Sequence, residues 1–190
     1  METNHSKKTI SYRIDSDNII DSVSNNWSDF AEKNYGENIC NPINVVGFSI
    51  FDFIQGAESK HLYEIILNRV RNYMRSATFQ FRCDSPEKRR FLNLSIIPST
   101  DYAVEFFSQV VRLESRETMG LLKNDIERSD DFVRICCMCK KIAISNTEWT
   151  EIENAIIALK LFEMERLPNL THGLCQACYD EVMVALDKLS

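Results

Sequence analysis

The sequence predicts an α+β fold: a five-stranded antiparallel sheet with helices on one face, followed by a small helical tail. Three observations carry this. Segments in which apolar and polar residues alternate lie on both sides of one long stretch with helical period. Short clusters of turn-forming residues join the alternating segments, as antiparallel hairpins require. Beyond residue 113 the pattern changes to charged and helical stretches that enclose two Cys-x-x-Cys pairs.

The first nine residues are polar and are expected to fray. Ile10 to Asp15 and Ile19 to Val23 are short apolar runs around Ser16-Asp17-Asn18, a β-hairpin signal. Trp27, Phe30 and Ala31 predict a short helix between Ser24 and Asn34, and Asn41-Pro42 forces a turn. Val45 to Ile54, the most apolar run, reads as short helical turns lining a core. A long helix follows from Glu58 to Arg75, because Leu62, Ile65, Ile66, Val70, Tyr73 and Met74 recur every three to four residues. Strands are expected over 77–83, 90–97 and 102–111, joined into a meander by Asp84-Ser85-Pro86 and Pro98-Ser99-Thr100-Asp101. Glu114 to Asp131 reads as a charged connecting helix holding Met119, Leu121, Leu122 and Ile126. Thr147 to Glu163 reads as a helix with a stripe of Trp149, Ile152, Ile156, Leu159 and Phe162. A last helix, Cys175 to Leu189, should turn Val182, Ala185, Leu186 and Leu189 inward.

Size and charge set bounds. A chain of 190 residues holds one good core and a small appendage. With a net charge of −6 and no dense basic face, nucleic acid is not expected as a partner, and Lys88-Arg89-Arg90 reads as a solvated hairpin end. No apolar stretch approaches the roughly 18 residues that cross a bilayer, and the start of the chain lacks a signal-peptide core. A cytoplasmic location is expected. Seven cysteines, an odd number with four in metal-type spacing, fit a reducing compartment better than a disulfide framework.

Two strands, short helices, one long helix and three strands is the order found in PAS domains, and the resemblance reaches individual segments. Tyr12-Arg13-Ile14-Asp15, Val46 to Ile54, Leu62-Tyr63 with Arg69-Val70-Arg71, Phe81 to Glu87 with Arg89-Arg90-Phe91, and Val104-Glu105-Phe106 are similar to a group of small bacterial PAS-type sensory proteins. The tail resembles a cysteine-rich tail found after PAS or receiver domains in bacterial signalling proteins. Its matching residues are Ile135-Cys136-x-x-Cys139-Lys140-Lys141-Ile142, then Trp149 and Glu153, then His172-Gly173-Leu174-Cys175-x-x-Cys178. The resemblance implies a PAS-like domain over 10–113, a linker over 114–131 and a cysteine-rich helical tail over 132–190. It also implies a sensor or scaffold; with no effector domain in the chain, output is expected through a protein partner or a homodimer. The chain departs from the pattern in Cys137, which lies inside the first pair.

Two residues between cysteines let both sulfurs point at one atom from a single tight turn, and two such turns supply a closed tetrahedral site. Cys136, Cys139, Cys175 and Cys178 are the expected ligands, with zinc the leading ion and iron also compatible. A redox dithiol and four buried thiols are the competing readings. His172 competes as a ligand or as a hydrogen-bond donor to a thiolate. Histidine follows neither pair, which argues against covalent haem, and glycine follows neither second cysteine. His61 and Cys40 give weak grounds for haem or flavin, and neither cofactor is expected. Phe48, Ile50, Phe51, Phe53, Ile54, Leu62 and Ile66 carry more apolar surface than their short segments need, and they are expected to line a small-molecule cavity. With no Gly-rich phosphate loop, nucleophile elbow or His-Glu-x-x-His, the expectation is a non-enzymatic module. The alternatives are a thiol redox sensor that releases its metal on oxidation and a PAS sensor that binds a small ligand or haem.

Overall fold

The computed structural model describes residues 9–32 and 41–189. Residues 1–8 of the start expected to fray, the end of the first expected helix and Cys40 therefore lie outside the described residues, while Thr9 already belongs to a strand. The first half runs β1 (Thr9–Ile14), β2 (Ile20–Val23), α1 (Trp27–Glu32), α2 (Ile50–Phe53), α3 (Ala57–Tyr73), β3 (Ala77–Arg82), β4 (Lys88–Pro98) and β5 (Val104–Ser115). The strands form one antiparallel sheet in the order β2-β1-β5-β4-β3.

Local chemistry accounts for the boundaries. Asp15 Oδ1 accepts the amides of Asp17 and Ile19, closing the first hairpin around Asn18 at φ 67°. Ser49 and Asp52 form a capping box at the start of α2. Met74 in the left-handed conformation stops α3.

Side-chain alternation sends Ala77 and Phe79, Leu94 and Ile96, and Val104 and Phe106 to one face, where they meet Leu62, Ile66, Leu67 and Val70 of α3. Phe106 is fully buried and stacks on Tyr12 at 4.5 Å, with Tyr63 stacked at 6.5 Å. β5 begins later than expected, because Thr100–Tyr102 forms a 3₁₀ turn with Asp101 and Tyr102 both at positive φ. It also runs further, past a register shift between Phe91 and Leu92.

The second half departs more from expectation. No connecting helix forms over 114–131. β5 continues to Ser115, a 3₁₀ turn occupies Gly120–Leu122, and β6 (Arg128–Cys136) begins soon after. The reason is tertiary: the amides of Arg116 and Met119 donate to Glu87 O and Pro86 O, across to the β3–β4 hairpin, rather than to carbonyls one helical turn back. Nor is the tail purely helical. It contains β7 (Ile142–Ala143), β8 (Trp149–Thr150), α4 (Ile152–Ala158), β9 (Leu167–Gly173) and α5 (Gln176–Asp187). The expected helix over 147–163 shortens to α4 because Trp149 and Thr150 pair with β7, and Lys160 in the left-handed conformation precedes a separate 3₁₀ turn at Leu161–Glu163. The boundaries expected at 113/114 and 131/132 both fall inside strands.

This second sheet has the order β8-β7-β6-β9, with β6 and β9 parallel. A parallel pair needs a crossover, which β7, β8 and α4 provide. Its core gathers Met119, Leu121, Ile135, Ile142, Ile152, Ala155 and Leu161.

A shared core and a set of ion pairs help to join the halves. α5 packs against β3 and α3, so that Val182, Leu186 and Leu189 share one core with Val70 and Phe79. Beside it, Arg82 pairs with Asp84 at 2.5 Å and Glu151 at 2.7 Å, Arg116 with Asp84 at 3.1 Å, and Arg89 with Glu153 at 2.7 Å. The 88–90 run is therefore not a solvated end. Lys88 is exposed, but Arg89 is paired and Arg90 is buried with Nη1 donating to Cys83 O. No helix among the described residues is long and apolar enough to cross a membrane.

Candidate metal centre

The parallel pairing of β6 and β9 ends with Cys136 opposite Gly173, and Cys137 N donates to Gly173 O at 2.8 Å. The two cysteine pairs therefore leave the sheet side by side, which is how the 140–174 excursion between them closes. At the first pair, Cys136 N donates to Lys141 O at 2.8 Å and Lys140 N donates to Cys136 O at 3.1 Å, a tight turn that brings Cys139 beside Cys136. Lys140 takes φ 60°, the conformation glycine usually supplies, while its Nζ donates to Cys137 O at 3.0 Å. At the second pair, Cys175 occupies the N-cap of α5 and Cys178 lies in its first turn.

The Sγ atoms of Cys136, Cys139, Cys175 and Cys178 all lie within 4.8 Å of one another, close enough to hold a metal ion. The Cys139 and Cys175 sulfurs are 3.8 Å apart. That matches the edge of a regular tetrahedron with metal–sulfur bonds of about 2.3 Å, which is about 3.8 Å. Cys136, Cys175 and Cys178 are buried, and Met138, Trp149 and Leu174 pack around the cluster. Cys175 N donates to Cys136 Sγ at 3.5 Å, and the positive end of α5 faces thiolate character there.

Cys136, Cys139 and Cys178 crowd one another and compete for charge. Hydrogen bonds from Cys137, Cys139 and Cys178 push the Cys136 thiol far down. The Cys136 thiolate in turn pushes Cys139 up to about 12, and Cys136 and Cys139 together push Cys178 well above its usual value. A divalent cation at the centre would reverse this, because it stabilises every ligating thiolate at once.

Cys137 is not among the four. Its thiol lies against the Cys136 sulfur and Ser59 of α3, and Cys136 and burial hold its pKa high. His172 is also outside the cluster; burial and nearby Lys140 lower its pKa, and its buried Nδ1 has no hydrogen-bond partner. The residues seating the centre were not legible as site residues. Arg82 N of edge strand β3 donates to Met138 O at 2.7 Å, and Leu174 N donates to Glu58 Oε2 at 2.8 Å. Gly56, at φ 84°, lets α3 start against β9, since a Cβ there would stand 2.8 Å from His172 O. A signal existed in the Gly56-Ala57-Glu58 helix start, but its partner across the fold is invisible in one dimension.

Of the residues expected to line a cavity, Ile50, Leu62 and Ile66 are buried in the first core, and Phe51 and Ile54 pack against it. Phe48 and Phe53 are instead 51% and 39% exposed. A groove on α3 is lined by Ile65, Asn68, Arg69, Asn72 and Tyr73, none of them in that set. His61 is exposed, with Nδ1 3.5 Å from Glu64 Oε2, and Cys83 follows β3 with its amide donating to Arg90 O. Compared with known proteins, the chain matches no family model and no curated sequence.

Proposed function

We propose that this chain is a non-enzymatic, PAS-type sensory or interaction module of the cytoplasm, with a structural zinc site, acting through a protein partner or a homodimer. The convergence of the four cysteine sulfurs carries this reading. Four thiolates around Zn²⁺ complete a tetrahedron and leave no open position for water or substrate, which favours a structural over a catalytic ion. Iron accepts the same four donors, and elemental analysis distinguishes the two ions. The PAS reading is supported by the element order of the first half, two strands, short helices, one long helix and three strands.

Elemental analysis of protein purified without chelator tests the proposal: one zinc per chain is expected, and a chain that binds no metal overturns it. One observation favours a second reading, a thiol redox sensor. Cys137 places a fifth sulfur against Cys136. Metal release by mild peroxide, reversed by a thiol reductant, would select that reading over a purely structural site.

A further inference from the structure

The zinc ligands of the second pair are also the start of the helix that closes the first core. α5 has no side-chain hydrogen bond at its N-cap and no acidic residue in its first turn. At that end Cys175 N donates instead to Cys136 Sγ at 3.5 Å, so the helix start is tied to the four-sulfur cluster rather than to a cap of its own. It is 12 residues long, at the length where an isolated helix is marginal in water. Its body carries Val182 and Leu186, and the turn after it Leu189, into the core shared with Ala77, Phe79, Ile66 and Val70. The same knuckles also touch β3, where Arg82 N donates to Met138 O, and the start of α3, where Glu58 Oε2 accepts Leu174 N.

We infer that metal at the four-cysteine centre governs whether α5 covers the β3 end of the five-stranded sheet. Metal loss then opens an apolar face there, beside a strand edge that has lost its bond to Met138. This rests on the metal-binding reading and adds its regulatory consequence. Losing the ion removes the fixed point from which α5 extends, while the β1–β5–β4 ladder keeps its own hydrogen bonds and the cover of α3. Opening is therefore local. The edge strand β3 then loses its bond from Arg82 N to Met138 O beside the uncovered Phe79.

Amide hydrogen exchange on the full chain, with and without a zinc chelator and then with zinc restored, tests this. The expected result is loss of protection by about 100-fold or more in α5 and at the Arg82 and Leu174 amides, less than about threefold change in the β1–β5 ladder, and recovery on adding zinc. Cys178→Ser should show the chelated pattern without chelator. If zinc binds and leaves on chelation but α5 stays protected, this inference is overturned and the metal site stands. Equal loss of protection in α5 and in the β1–β5 ladder overturns it too, because the chain then unfolds as one. A chain that takes up no zinc at all overturns both the site and its regulation.

Discussion

The two sheets are held together in different ways. The five-stranded sheet buries Phe79, Ile96, Val104 and Phe106 under α3, and its neighbouring strands pair over long antiparallel registers. The four-stranded sheet pairs β7 and β8 over two residues each and joins β6 to β9 in parallel, and its core has no aromatic residue among its buried members. Two-residue strands and a small aliphatic core supply little apolar burial. The four cysteines, close enough together to hold a metal ion, sit where that sheet meets the first, and a bound ion would substitute there for buried area.

Removing a ligand should break the comparison most sharply. Cys178→Ser should abolish tight metal binding and melt the second sheet and α5 first, since a structural zinc site contributes on the order of 10 kcal/mol. Metal content and two-probe thermal unfolding check it, and coincident transitions in wild type that separate in the variant are the expected signature. Phe106→Ala should act on the other region, costing about 3 to 5 kcal/mol in denaturant unfolding while metal stoichiometry stays at the wild-type value. Asp84→Asn tests the seam. Its side chain, 1% exposed, lies between Arg82 and Arg116, and its loss leaves two buried guanidinium groups facing a neutral amide. A cost of about 3 kcal/mol is expected, with retained metal. Cys137→Ser is the smallest change, about 1 kcal/mol or less in unfolding free energy and no loss of metal. A drop in metal content in that variant would move Cys137 into the ligand set.

How far each region could be read from sequence follows the same division. The alternation in Ala77 to Arg82 and the period of the Glu58 to Arg75 stretch are local, and the elements formed there. Beyond the register shift at Phe91 the alternation fails, so the end of β5, with Val111 and Leu113 exposed, could not be seen. Residues 116–119 have backbone partners at Pro86 and Glu87, and no pattern within their own segment announces that. Trp149 fits a helical stripe by spacing, yet its place is β8, against the cysteines. The four-cysteine cluster was legible because each half of it is a local spacing. Its seat on Glu58 and Arg82 was not, because those bonds join segments far apart in the chain.

The central claim is that Cys136, Cys139, Cys175 and Cys178 hold one metal ion among them. X-ray absorption at the metal edge, on protein loaded with zinc, measures the donors directly. Four sulfur scatterers at about 2.3 Å are expected, with neither nitrogen from His172 nor oxygen from water in the shell. Fewer than four sulfurs, or a nitrogen or oxygen donor among them, would contradict the account.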